Sequence, residues 1–222
     1  MFEILFEIPL LDYIRNNFVE LLDHAGTFAF ALSGIRLAAE KEFDWFGAYV
    51  VGLVTAIGGG TIRDLLLDAT PFWMLNSSYL IVTAVALLSF VSLKKFIFRL
   101  NNTLFLFDAI GLGLFVVVGI EKTLIANYPF WVAIIMGTIT GSVGGLIRDV
   151  LINETPLILR RDIYAVACII GGLVFALCDW LKIDHALASI ISASTVILIR
   201  LVVTKYKIQL PTVKHGDIKI NR

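Results

Sequence analysis

A chain of 222 residues in which 59% of side chains are hydrophobic is more apolar than a soluble domain, where about half is usual. Its 18 basic and 18 acidic side chains cancel, which argues against the basic surface of a nucleic-acid binder; no nucleic-acid partner is expected. The two cysteines, Cys168 and Cys178, lie roughly 15 Å apart along one helical run, beyond the ~7 Å reach of a disulfide. With His24, His185 and His215 scattered, neither a metal site nor a cofactor is expected.

The opening stretch, 1–17, lacks the basic start of a signal peptide, and acidic residues interrupt its apolar run. It reads as a surface-lying or loosely ordered lead-in. Seven apolar segments follow, at about 18–38, 46–67, 79–98, 104–121, 131–152, 163–181 and 185–203. Each is near the ~20 residues that a helix needs to cross hydrocarbon. None alternates in polarity as a barrel strand would. The expected fold is therefore an all-α integral membrane protein of seven transmembrane helices, multi-pass in the cell membrane. Orientation follows from lysine and arginine placement. With the N-terminus outside, 14 of the 18 basic residues fall on the inner side, including those of a tail over 205–222. Trp45, Trp73, Trp131 and Trp180 sit near proposed helix ends, the interfacial belt position.

The chain repeats itself at an offset of 85 residues. VTAIGGGTIRDLLLDATP (54–71) aligns without gaps on ITGSVGGLIRDVLINETP (139–156), and 19 identities fall over the 68 positions from 23 to 90. Repeat one spans 18–98 and repeat two 103–182, with a seventh helix over 183–204. Three spans per unit is an odd number, so the second copy enters the membrane with reversed polarity. Inverted repeats of this kind place a pathway at their interface.

Two features on that interface carry chemistry. Gly58, Gly59 and Gly60, with Gly144 and Gly145, stand within the second and fifth segments. Glycine in a helix interior costs about 1 kcal/mol relative to alanine, so the clusters invite a kink or an unwound turn lining a pathway. Close helix packing is the competing reading; recurrence beside a charged pair favours the pathway. Arg63-Asp64 and Arg148-Asp149 each follow three residues after a glycine pair. Charges this deep cost about 2.5–3.5 kcal/mol each on insertion scales and need partners. Neighbours on a helix point ~100° apart, so each arginine is expected to look elsewhere. Topology pairs Arg63 with Asp23 and Arg148 with Asp108, one pair at each mouth. Asp64 and Asp149 are then the groups that attract cations, while Ser33, Thr55, Thr140 and Ser142 are more often back-bonded hydroxyls than ion ligands. Lys94, Lys95 and Arg99 read as ordinary inner-side residues, with membrane lipid as a weak partner.

No enzyme signature is present: GGGTIRD lacks the Lys-Ser/Thr of a phosphate loop, and neither G-x-S-x-G nor H-E-x-x-H occurs. The paired GGGTIRD and VGGLIRD motifs, at equal places in a 3+3+1 helix plan, resemble the trimeric intracellular cation (TRIC) channel family over roughly residues 20–203. The chain has no Lys-Glu-Val tripeptide, the mark of animal members, and its length is similar to that of the prokaryotic branch. The resemblance implies a homotrimer with one hourglass pore per protomer. It implies glycine-rich breaks at Gly58 to Gly60 and at Gly144 to Gly145 that bend around the pore, and permeation of monovalent cations, chiefly potassium. Some bacterial relatives are associated with glycine uptake. A potassium-permeable channel is thus the leading expectation. A secondary transporter for a small zwitterion such as glycine is the alternative, since arginine–aspartate pairs suit a carboxylate and an ammonium group together. A membrane scaffold would explain the helices but not the duplicated charges.

Overall fold

The computed structural model describes residues 17–99, 103–159 and 163–209. The expected lead-in up to residue 16, Arg160, Arg161 and the tail beyond 209 lie outside the described residues. Seven long helices follow one another: α1 (Phe18–Glu40), α2 (Trp45–Leu66), α3 (Ser78–Arg99), α4 (Thr103–Ile125), α5 (Phe130–Leu151), α6 (Ala165–Trp180) and α7 (His185–Tyr206). A single helical turn, Phe72–Leu75, precedes α3, and a 3-10 turn, Leu157–Leu159, precedes α6 at the equivalent place in the repeat. No strand occurs among the described residues.

The repeat is visible in the turns. Glu42 and Asn127, 85 apart, both take left-handed backbone with φ of 59° and 63°. Asp68 and Asn153, again 85 apart, do so at 55° and 58°. After each, the chain returns a bond to the helix it has left: Phe43 N–H to Ala38 O and Tyr128 N–H to Thr123 O, then Ala69 N–H to Asp64 O and Glu154 N–H to Asp149 O. These bonds satisfy carbonyls that a helix end leaves open. Asp44 starts α2 by accepting from Gly47 N–H at 2.7 Å, and Asp184 starts α7 by accepting from Ala186 N–H at 3.0 Å.

Burial runs opposite to a water-soluble protein. Arg63, Asp108, Arg148 and Arg200 are each 1% exposed, while Phe46, Trp131, Leu173 and Leu198 face outward. Such an outer surface suits hydrocarbon. Five helices (α2 to α5 and α7) are long and apolar enough to cross a membrane, and α6 is apolar but shorter. The central pair is α1 and α4. Phe30, Ala31, Ser33 and Ile35 of α1 and Leu112, Val116, Val117 and Ile120 of α4 are fully buried, so α1 carries its polar residues inside the bundle.

Contacts between the repeats run antiparallel. On α1 and α4, Gly26 lies under Phe115, and Gly111 lies under Phe30. On α2 and α5, a Cβ added to Gly59 would strike the carbonyl of Thr140, and one added to Gly144 would strike the carbonyl of Thr55. In both cases an advance along one helix is matched by a retreat along its partner. Equivalent helices of the two units therefore cross in opposite directions.

The glycine clusters do not break their helices: α2 and α5 are helical throughout, from Trp45 to Leu66 and from Phe130 to Leu151. The expected unwound turn is absent, and Gly58, Gly59 and Gly144 instead serve the crossing. With no Cβ, Gly59 and Gly144 let the two backbones meet, a gain in packing that offsets their poor helix propensity.

Candidate functional site

Two buried clusters flank the α2–α5 crossing, one from each copy of the GG-x-IRD motif. In the first, Arg63 donates from Nε and NH2 to Asp64 Oδ1 at 2.8 and 2.6 Å. Asp64 Oδ2 accepts from the backbone N–H of Phe72 at 2.9 Å, tying the helix end to the following turn. The guanidinium also lies over the Phe72 ring, 5.7 Å from its centre, and that ring fills the space left by Gly60. Trp73, expected at the membrane interface, packs inward and donates from its indole to Thr61 Oγ1 at 3.0 Å.

Asp23 does not pair with Arg63, contrary to the expectation from topology. Its Oδ2 accepts from Lys122 Nζ at 2.6 Å and from the Tyr79 hydroxyl at 3.0 Å. Lys122 comes from the end of α4 and replaces the leucine (Leu37) that holds its place in the first repeat. With an ammonium already on Asp23, Arg63 turns to its neighbour. The long arginine side chain curls back, so the 100° between adjacent Cβ directions is no obstacle to the Arg63–Asp64 bond.

The second cluster repeats this plan with one difference. Arg148 donates from Nε to Asp149 Oδ1 at 2.9 Å, and Asp149 Oδ2 accepts from Leu157 N–H at 2.9 Å. Here the arginine also reaches across to Asp108, as topology suggested: NH1 meets Asp108 Oδ1 at 2.7 Å and Ser33 Oγ at 2.7 Å. Ser33 stands where the second repeat has Val118, so the first cluster has no counterpart to that bond. The Tyr164 hydroxyl donates to Asp108 Oδ1 at 3.4 Å, matching Tyr79 on Asp23. Gly145 leaves room for this group, its missing Cβ lying 2.8 Å from the Tyr164 hydroxyl.

The remaining motif glycines lie at the crossing itself. A Cβ on Gly58 would be 3.0 Å from Ile147 Cδ1 and 3.7 Å from Gly144 Cα. Thr55, Thr140 and Ser142 each donate to the carbonyl four residues earlier, the back-bonded role. Each cluster balances two cations against two carboxylates once Lys122 and Arg200 are counted. Arg200 and Lys122 were missed as site residues because each reads as a charge at the end of an apolar run. The available signal was the breakdown of the repeat at Leu37/Lys122 and Ser33/Val118. Among the described residues no group of His, Cys, Asp and Glu could hold a metal ion, and Cys168 and Cys178 are free and buried.

Comparison with known proteins places this architecture. The family described as glycine transporter matches twice, over residues 20–95 and 105–180, again 85 residues apart. The UPF0126 inner membrane protein YadS of Escherichia coli is 43% identical over 194 residues, covering 86% of this chain and 94% of that protein. The UPF0126 membrane protein YvgT of Bacillus subtilis is 38% identical over 164 residues, covering 73% and 81%. Among solved structures, the TRIC trimeric intracellular cation channel orthologue of Rhodobacter sphaeroides superposes with a TM-score of 0.81 at 34% identity, covering 86% of this chain and all of that one. A prokaryotic TRIC channel solved in KCl gives 0.79 at 28% identity, with 87% and 98% covered. These solved relatives are channels rather than enzymes. The chain is thus a multi-pass integral membrane protein with the TRIC fold, and it belongs to the prokaryotic branch of the TRIC family, together with the UPF0126 membrane proteins.

Proposed function

We propose that this protein is a monovalent-cation channel, permeable to potassium, with a pathway between the two antiparallel triplets of each protomer. The single observation that carries this reading is the pair of buried Arg–Asp clusters on either side of the α2–α5 crossing, in a fold shared with cation channels. A charged group inside a membrane protein marks a polar route when it faces the bundle interior, and all four motif charges do so. The pathway residues are Gly58, Gly59, Gly60, Arg63, Asp64, Gly144, Gly145, Arg148 and Asp149, with Asp23 and Asp108 at the two mouths. In this reading the contact of the backbones at Gly59 and Gly144 closes the pathway, and conduction requires the triplets to part there.

The same reading takes all seven long helices as spans, with the N-terminus outside and the basic end of the chain inside a bacterial inner membrane. It takes 18–98 and 103–182 as the repeat units and 183–204 as the added helix. Three copies form the assembly, in keeping with the trimeric channel orthologue of Rhodobacter sphaeroides.

A second reading, uptake of a small zwitterion such as glycine, is favoured by the match to a family of glycine transporters. An arginine and an aspartate side by side would hold a carboxylate and an ammonium group. Planar-bilayer recording under a KCl gradient separates the two. The channel predicts unitary, non-saturating currents that reverse toward the potassium equilibrium potential. Saturable glycine counterflow in proteoliposomes without unitary current would replace it with the transporter.

A further inference from the structure

Arg200 lies on α7, outside both copies of the repeat, yet it is 1% exposed and reaches the second cluster. Its guanidinium carbon is 4.8 Å from the centre of the Phe105 ring and 4.6 Å from that of Tyr164. NH1 donates to Ile163 O at 3.3 Å, and NH2 stands 4.0 Å from Asp108 Oδ2. Two buried atoms at this point make no hydrogen bond among the described residues: Asp108 Oδ2 and Arg200 Nε. The other oxygen of the same carboxylate takes both Arg148 and Tyr164. Asp108 therefore has two guanidinium groups beside it, bonded to one and held by ring stacking a little over 1 Å short of the other, since such bonds run about 2.7–2.9 Å.

The pseudo-symmetric first cluster shows the alternative arrangement. There Asp23 is held by a cation from elsewhere, Lys122, and by a tyrosine, while the motif arginine bonds its neighbour aspartate alone. The second cluster has the same parts, with the motif arginine still on the distant carboxylate. A buried carboxylate stripped of its only cation is strongly unfavourable, so Arg148 leaves Asp108 only where another cation takes its place.

Resting on the proposal that the seam opens beside Arg148, we infer that Arg200 is a positioning residue that takes over Asp108 when Arg148 lets go. Closing the 4.0 Å gap gives both unbonded atoms a partner region and brings the second cluster to the arrangement of the first. Arg148 then keeps Asp149 and is free of both Asp108 and Ser33.

The test uses the full chain in phosphatidylethanolamine–phosphatidylglycerol liposomes, with Cys168→Ala, Cys178→Ala and Ser33→Cys. Ser33 accepts the Arg148 bond, so modification of that thiol by a methanethiosulfonate ethylammonium reagent reads release of Arg148 whatever solute passes. Arg200→Gln is expected to slow labelling several-fold, because Asp108 then has no second cation. In an Asp108→Asn background, labelling is fast and Arg200→Gln leaves it unchanged. Equal slowing in both backgrounds, or no slowing with Asp108 present, overturns the handover. If Arg200→Gln does not fold, Arg200→Lys is measured in both backgrounds; its unstacked ammonium reaches Asp108 less well, and the same background dependence is required. Absence of labelling even in D108N overturns the opening seam itself, whereas labelling in D108N, together with equal rates for Arg200→Gln and its parent when Asp108 is present, removes only the role of Arg200.

Discussion

Phe30 and Phe115 meet edge to face with ring centres 5.1 Å apart, and each covers the glycine that the other's helix presents, Gly111 under Phe30 and Gly26 under Phe115. The two rings occupy one position of the duplicated unit, so their contact marks the pseudo-two-fold axis through α1 and α4. The exchange between Gly59 and Thr140, and between Gly144 and Thr55, marks it again through α2 and α5.

Glycines in one motif should therefore differ sharply in tolerance. Gly59→Ala and Gly144→Ala push a methyl into a carbonyl on a facing backbone, where overpacking costs typically about 1–3 kcal/mol. Gly58→Ala meets only the tip of Ile147 at 3.0 Å and gains about 1 kcal/mol of helix propensity. Thermal melting in detergent, followed by size-exclusion recovery, should show a loss for the first two and little change or a gain for the third.

The two motif arginines should also be unequal. Arg148→Gln strands Asp149, leaves Asp108 to Tyr164 and the more distant Arg200, and frees Ser33, and removing one member of a buried pair costs roughly 3–5 kcal/mol. Arg63→Gln strands Asp64 alone, which keeps the Phe72 amide, while Asp23 retains Lys122 and Tyr79. Melting temperatures should fall further for Arg148→Gln than for Arg63→Gln.

Lys122 and Asp23 should couple. Lys122→Met and Asp23→Asn, combined in a double-mutant cycle of thermal stability, are expected to deviate from additivity by about 0.5–3 kcal/mol. The same cycle between Arg63 and Asp23, which make no ion pair here, should return a value near zero.

Asp149 joins a buried guanidinium to the chain leaving α5. Asp149→Asn replaces the oxygen that receives the Leu157 amide or the one that receives Arg148, and hydrogen–deuterium exchange over residues 152–159 should rise. Asp64→Asn should do the same for the turn at Phe72–Leu75.

Much of this was legible in one dimension. Apolar runs placed the helices, and the offset of 85 residues exposed the duplication because Arg-Asp and Thr-Pro pairs stand out against a uniform apolar background. The Arg148–Asp108 bond followed from topology alone. The unbroken helices did not follow. Glycine propensity describes an isolated helix, whereas here Gly58 and Gly59 pack on α5 and Gly60 on the Phe72 ring. Nor did the partner of Asp23. Lys122 lies at the end of an apolar run, where a lysine ordinarily faces water, and only the packing of α4 against α1 brings it to a carboxylate 99 residues away. Arg200 was hidden for the same reason. A helix outside the repeat has no twin position against which an unusual residue stands out.

The mutual burial of Gly59 and Gly144 against threonine carbonyls also limits how the halves can move. Sliding either helix along the other by a turn would drive a side chain from the same face, such as Arg63 or Arg148, into the place of a glycine. Drawing the helices straight apart disturbs no such fit. In the channel reading the contact behaves as a clasp, and widening the seam means lifting both backbones off it together.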